Sequence, residues 1–386
     1  MRILLPTGEI FGQAEIFSLY GRRVGAFRGQ FLIESDEMTT IQEVCNFIWN
    51  KLPGCKSFVG HVRFDLVPGF PVDSPVLVSE SMWDLGPLRI VGIYEVNAHS
   101  PECACACSAL RRSFPEITFR QPHPEHRLSR AIKNKFGEEK IIFIRGDGLV
   151  KQAWGQYFID DLIACGLNLE VTRPDEFLTH PDLSPSSVIW RWGDARLLPD
   201  KTGGDEFPLW FQKYLLDFPG AVFNTMPRPS NGDLQDISYK GYLKPNREYP
   251  EDWNRLVGDN RILRNDDDLE WAISKQQNLI AKPLRGSSGR GVILGRKVTP
   301  EEWERFLLSS LVPNTEIGLF EARWLPRIKL NDLEITFDIN PAFWADGSSL
   351  TYLYTVIRVD MWEKYWERGV INVTQGAGFA GCAIEE

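Results

Sequence analysis

The chain has 386 residues, 43% of them hydrophobic and 25% charged, with 13 Trp, the make-up of a globular protein long enough for two or three domains with substantial cores. A formal charge of -9 with no basic stripe argues against a general nucleic-acid binder, and no apolar run approaches the roughly 20 residues that span a bilayer. Seven Cys in a long chain point to reduced thiols and, with an N-terminal MRILLPTGEIF whose apolar part is too short for a signal peptide, to the cytoplasm.

Residues 1 to 35 alternate short apolar runs with Gly, which predicts strands and turns and assigns them no chemistry. From Asp36 to Leu52, Ile41, Val44, Phe47 and Ile48 recur at helical spacing, with Thr39 or Thr40 as N-cap and Pro53-Gly54 as the stop. The strand FVGHVRFDLV, Phe58 to Val67, carries Arg63 and Asp65 on one face, and a second strand, Leu88 to Val96, leads into Asn97 through Tyr94-Glu95-Val96. Asp65, Glu95 and Asn97 make an all-oxygen group of the kind that holds magnesium on a triphosphate, with Arg63 beside it facing phosphate oxygens. The plainer alternative is a set of surface polar positions on two edge strands. Cys103, Cys105 and Cys107 lack the C-x-x-C spacing of a zinc knuckle and read as small buried residues of a helix.

A basic helix from Glu125 to Phe136 leads into KIIFIRGDG, a buried strand, then an amphipathic helix over Gln152 to Gly166 and the strand segments LEVTRPDEF and SSVIWRWGD. This alternation predicts a small α/β domain. Gly146 and Gly148 form only part of a dinucleotide fingerprint. Arg191, Asp194 and Arg196, at the end of a strand, are candidates for substrate binding, with surface salt bridges as the alternative.

A helix with an acidic start, Asp266 to Gln276, runs into LIAKPLRGSSGRGVIL, from Leu279 to Leu294. A short apolar strand ends in Lys282-Pro283, and a loop containing Gly286, Ser287, Ser288, Gly289 and Gly291 joins it to a second strand. The small residues let backbone N–H groups approach an anion while Lys282, Arg285 and Arg290 supply charge, so the stretch reads as a lid over a nucleotide's phosphates. Its spacing is not that of a P-loop, and a glycine-tipped hairpin is the alternative. Thr299, Pro300 and Glu302 predict a capped helix, followed by strands in EIGLFEARWLP, LEITFDINPAFW and TYLYTVIRVD. The terminal Gly376, Gly378 and Gly381 match G-x-G-x-x-G, but too few residues follow for a Rossmann unit; these glycines let Asn372 and the backbone approach a ligand.

In this order the pieces resemble the nucleotide half of the ATP-grasp ligases: Lys240, then Lys282 with the serine and glycine loop, then Glu321, Arg358, and Asn372 with its glycine-rich turn. That family closes with R-x-D and then E-x-N, whereas here Arg63-Phe64-Asp65 and Glu95-Val96-Asn97 stand near the front, an arrangement that resembles a circular permutation. YEVNAHSPEC in this setting is similar to the glutathionylspermidine synthase family, synthetase domain only. The resemblance implies an α/β (α+β) chain with a circularly permuted ATP-grasp fold and an inserted small α/β domain of the pre-ATP-grasp kind. The expected divisions are 1–125 with the metal-binding strands, 126–240 for substrate, and 241–386 for nucleotide.

It further implies a cofactor set of ATP and magnesium, with two ions expected, and ligation of a small-molecule or peptide carboxylate to an amine through an acyl phosphate. Lys240 and Lys282 would hold the α- and β-phosphates, Gly286 to Gly291 would close over the β- and γ-phosphates, and Glu321 would lie at the adenine and ribose edge. Asp65, Glu95 and Asn97 would bind magnesium, Arg63 and Arg358 would stabilise the acyl phosphate, and Asn372, Gly376, Gly378 and Arg191 would face substrate. A phosphotransferase on the same fold and a non-catalytic nucleotide-binding module are the other classes compatible with these residues.

Overall fold

The computed structural model describes residues 1–6, 10–19, 22–70, 75–98, 102–113, 123–145, 153–192, 214–215, 217–224, 243–245, 248–284, 291–311, 316–322, 324–369, 371 and 377–385. Among them the strands form three sheets, one of eleven strands and two of four. In the large sheet the central path runs Val76–Ser79, Met82–Asp84, Arg2–Leu4, Arg22–Glu34, Gly378–Glu385, Ser349–Met361, Leu333–Asp346, Val59–Gly69, Arg89–Asn97.

Strands from the two ends of the sequence are therefore neighbours in one sheet: Gly378–Glu385 lies parallel to Arg22–Glu34, with Glu385 opposite Glu34. The helix Ser35–Trp49 follows directly and packs its apolar stripe, Met38, Ile41, Cys45, Ile48 and Trp49, under the sheet face formed by Phe64, Leu66, Ile335, Phe337, Ile339, Ile357 and Val359. Its start departs from the sequence expectation. Thr39 and Thr40 lie inside the helix, their hydroxyls donating to the carbonyls of Ser35 and Asp36, and the carboxylate of Glu37 accepts the N–H of Glu34.

The opposite face of the large sheet is divided. Toward one end Ala342, Trp344, Tyr354, Val356 and Phe379 pack against the helices Glu102–Ser113 and Pro124–Phe136 and against a second sheet. Cys105 and Cys107 are buried in that contact and in no disulfide, as small residues at a helix–sheet interface should be; the Cys103 side chain lies outside the described residues. The second sheet is wholly parallel, ordered Ala221–Phe223, Val188–Trp192, Ile141–Arg145, Leu169–Thr172, which is the βαβ alternation expected of this region. Asn224, at φ 60°, joins it to the large sheet: its N–H donates 2.9 Å to the Val59 carbonyl and its Oδ1 accepts the His61 N–H at 2.7 Å.

The third sheet, Arg261–Leu263, Ile317–Glu321, Leu279–Pro283 and Ile293–Leu294, is antiparallel and backed by the helices Asp266–Ser274 and Pro300–Ser310 through Ala272, Trp303 and Leu307. Asn265 caps the first of these helices and Thr299 the second, the latter with the expected capping box. The nucleotide region expected over 241–386 is thus shared between two sheets, because Leu333–Asp346, Ser349–Met361 and Gly378–Glu385 all belong to the large one.

Candidate functional site

Strand alternation creates the site. In Leu333–Asp346, Ile335, Phe337 and Ile339 face the helix-backed core, so Thr336, Asp338 and Asn340 face the other way. Cross-strand pairing sets Asp338 opposite Arg358, Asp65 opposite Glu95, and Arg63 opposite Asn97. The result is a row of polar side chains from four strands on the half of the face that the helices leave uncovered. All but Glu95 and Arg358 are less than a tenth exposed, and those two are intermediate.

Asp65 is the centre of the row. Its Oδ1 accepts from Arg63 Nε at 2.8 Å and from Asn97 Nδ2 at 3.4 Å, while Oδ2 accepts from Arg63 Nη2 at 3.3 Å and from Arg358 Nη2 at 3.0 Å. The same Asn97 Nδ2 donates 3.1 Å to Glu95 Oε1, so both carboxylates lie within hydrogen-bonding reach of one amide nitrogen. Arg358 also grips Asp338, with Nε 3.1 Å from each carboxylate oxygen and Nη2 closer still to Oδ2. Asn340 Nδ2 donates 2.7 Å to Asp338 Oδ1, and its own Oδ1, fully buried, has no partner among the described residues.

Burial works against the charge on Arg358, but Asp338 and Asp65 overcome it and hold the guanidinium more firmly protonated than usual. At Asp65 burial raises the carboxyl above its ordinary range, with Glu95 and Asp338 adding to it and Arg358 and Arg63 opposing it. The two ends of one ion pair are thus pulled in different senses. Four hydrogen-bond donors, three of them on guanidinium groups, fill the lone-pair positions of Asp65, which is the environment of an ionised carboxylate.

Three carboxylates, Asp65, Glu95 and Asp338, face two guanidinium groups here. All-oxygen donors, an excess of negative charge and an orphaned buried carbonyl oxygen on Asn340 suit a hard divalent cation. Asp338 and Asn340 were read from sequence only as parts of a strand. A second group able to hold a metal joins Glu170, on the strand Leu169–Thr172, with His180 and Asp182 in the turns that follow the helix Pro174–Phe177. Lys140 Nζ already bridges Glu170 and Asp182, His180 Nδ1 accepts the Asp182 N–H at 3.3 Å, and His180 Nε2 lies 3.3 Å from Glu170.

The third sheet holds Lys282 and reaches the polar row through the helix Trp362–Arg368. Arg296 lies over the rings of Trp324 and Trp366, 3.7 and 3.8 Å from the centroids, and donates 2.8 Å to the Trp366 carbonyl. On its other side the helix is tied to the large sheet by Arg368 with Asp360, and by Tyr365, whose hydroxyl accepts the Leu325 N–H at 3.1 Å and bonds Tyr94 beside Glu95. Lys282 itself is half-buried, with its ammonium 4.3 Å from the Phe320 ring centroid. Gly291 closes the loop at φ +70°, where a Cβ would come within 3.0 Å of Pro283. Glu321 is paired with Leu279 at the far end of the same strands, and its Oε2 accepts the Asp259 N–H at 3.1 Å, a local backbone contact.

Arg191 is buried near the carboxyl end of Val188–Trp192. Its strand and Ile141–Arg145 flank the point where strand order reverses in the parallel sheet, the place where open α/β sheets bind ligands. Gly378 has a packing reason to be glycine, since a Cβ there would stand 3.0 Å from the Phe27 nitrogen in the neighbouring strand. Lys240, Gly286, Ser287, Ser288, Gly289, Asn372 and Gly376, with Asp194 and Arg196, lie outside the described residues.

The chain matches no protein-family profile, and no curated protein is similar to it in sequence. Among solved structures it is similar to a glutathione synthetase-like effector from Globodera pallida in its apo form, at 9% identity and a TM-score of 0.44 over 91% of this chain and 86% of that one. It is also similar to a protein from Methylobacillus flagellatus assigned by name as a gamma-glutamylcysteine synthetase, at 10% identity and a TM-score of 0.34 over 85% of this chain and 84% of that one.

Proposed function

We propose that the protein is an ATP-dependent carboxylate–amine ligase of the ATP-grasp type, with a circularly permuted sequence. The observation that carries the reading is the meeting of Arg63 and Asp65 with Glu95, Asn97 and Arg358 on one sheet face, although Arg358 lies 293 residues from Asp65 in sequence. The adjacency of Gly378–Glu385 to Arg22–Glu34, and the helix that follows, supports the permutation, because a chain whose end strands are neighbours can be re-cut with the sheet intact.

The chemistry asked of the residues is positioning and charge neutralisation. Lys282, near the end of its strand and followed by the 285–290 segment, would meet phosphate oxygens. Asp65, Glu95 and the side-chain oxygens of Asn97 and Asn340 would hold magnesium, Asn97 turning its amide so that Oδ1 replaces Nδ2 toward the carboxylates. Magnesium there would neutralise triphosphate oxygens. Arg358 and Arg63 offer guanidinium N–H groups where negative charge develops as the γ-phosphoryl passes to the substrate carboxylate. The acyl phosphate is then attacked by the amine, giving an amide and phosphate. Arg191, on the second sheet, would recognise the acid or a peptide carboxylate.

The test is release of ADP with a panel of amino-acid, peptide and hydroxy-acid carboxylates, each with and without amines. A ligase shows turnover that depends on both an acid and an amine. ADP release with an alcohol or amine alone and a stable phosphorylated product would show a phosphotransferase instead, and no release under any condition a non-catalytic module.

A further inference from the structure

Two arginines share Asp65, and all its lone-pair positions are engaged: each oxygen accepts from two donors. A divalent cation needs one of those lone pairs, so a donor has to withdraw before Asp65 can ligate it. Arg358 has a second carboxylate ready to receive it, because Asp338 already accepts from both its Nε and its Nη2. Asp338 is in turn held in place by Asn340 Nδ2 at 2.7 Å and is 1% exposed, so it does not turn away to solvent.

We propose that Asp338 is a positioning residue that sets the cation affinity of the site by competing with Asp65 for Arg358. The inference rests on the ligase reading and adds a control element to the same site. With Asp338 present, withdrawal of Arg358 from Asp65 Oδ2 breaks one hydrogen bond while the guanidinium keeps its bidentate partner. Without it, Arg358 would have Asp65 as its remaining carboxylate among the contacts it makes with the described residues, and a cation would have to displace a part-buried guanidinium from that carboxylate. The released guanidinium N–H is then free to meet a phosphoryl oxygen, which couples arrival of the cation to readiness of the arginine.

The experiment is titration calorimetry of the full-length protein with Mg2+ and, separately, Mn2+, with and without a non-hydrolysable ATP analogue, in a cycle of Asp338→Asn, Arg358→Gln and the double variant. Asp338→Asn should weaken cation binding by about tenfold or more, while Arg358→Gln, which removes the competitor, should leave it as tight as wild type or tighter. In the Arg358→Gln background the further Asp338→Asn change should have little effect. The same weakening factor for Asp338→Asn in both backgrounds would overturn the inference, because Asp338 would then act as a ligand or through its field. The double variant leaves no buried charge of this pair unmatched, so if a single variant fails to fold, the double variant decides: affinity no weaker than wild type supports the competition, and affinity tenfold weaker contradicts it. If wild type binds neither cation, with or without nucleotide, the ligase reading fails and the inference fails with it.

Discussion

Asp65 and Arg358 stand 293 residues apart in the chain and 3.0 Å apart in the fold. Each is also held by a second charged neighbour, Asp65 by Arg63 on its own strand and Arg358 by Asp338 on the paired strand. Asp65→Asn takes a buried carboxylate from two guanidinium groups, of which Arg358 keeps Asp338, so it should cost about 1.5–3 kcal/mol of stability, measurable by urea denaturation, besides lowering turnover steeply. Glu95→Gln sits at the more exposed end of the row and should lower magnesium-dependent turnover by about a hundredfold with a smaller stability loss. The double variant should lose far less activity than the product of the two single effects if, as proposed, both residues act on one ion.

Lys282→Met should weaken ATP binding by at least about tenfold, roughly 1.4 kcal/mol, read by calorimetry. The melting temperature should change little, because the ammonium is half-exposed and Met preserves the contact with the Phe320 ring. Unchanged ATP affinity would remove Lys282 from the nucleotide site.

Much of the polar row was legible in the sequence and part of it was not. Arg63-x-Asp65 and Glu95-x-Asn97 announce themselves because alternation puts each pair on one face, and the structure adds that the two faces are the same face. Asp338 and Asn340 carry the same two-residue spacing but sit in a strand whose neighbours are apolar, and their meaning depends on register. The Asp346–Ser349 turn sets one register for the hairpin, and a bulge between Ala342 and Phe343 shifts it by a residue; only after that shift does Asp338 face Arg358. A bulge of this kind leaves no sequence signal as plain as the Asp-Gly turn. The helix start at Glu34 was missed for a related reason: Thr39 and Thr40 are better cap formers by type, but the capping-box geometry had formed one turn earlier with Glu37.

Gly378 is a useful discriminator between packing and ligand approach. Gly378→Ala forces a Cβ against the backbone of Ala26 and Phe27 and should lower stability by about 1–3 kcal/mol. Measured on the folded fraction, KM for the carboxylic acid should stay within about twofold of wild type. A large rise in KM with no change in melting temperature would return this glycine to the substrate site.

Asp360 gives the fold a pH dependence of its own. Burial pushes its carboxyl up to about 6 against the opposing pull of Arg368, so the folded state holds its proton where the unfolded chain, near 3.8, has lost it. The stability contribution is therefore complete below the unfolded value and is lost as pH rises through about 6. Chemical denaturation of wild type and Asp360→Asn from pH 4 to 7.5 should show the wild-type stability falling relative to the variant by about 1–2 kcal/mol across that window, after allowance for partial solvent screening. Parallel curves would show that Asp360 does not titrate there.

The most direct measurement is trapping with hydroxylamine. With ATP, magnesium and an accepted carboxylic acid, the wild-type protein should form the acyl hydroxamate stoichiometrically with ADP, and Glu95→Gln should form it at least about a hundredfold more slowly. ADP release without hydroxamate for any acid, or hydroxamate formed equally fast by Glu95→Gln, would contradict an activated acyl group made at the row around Asp65.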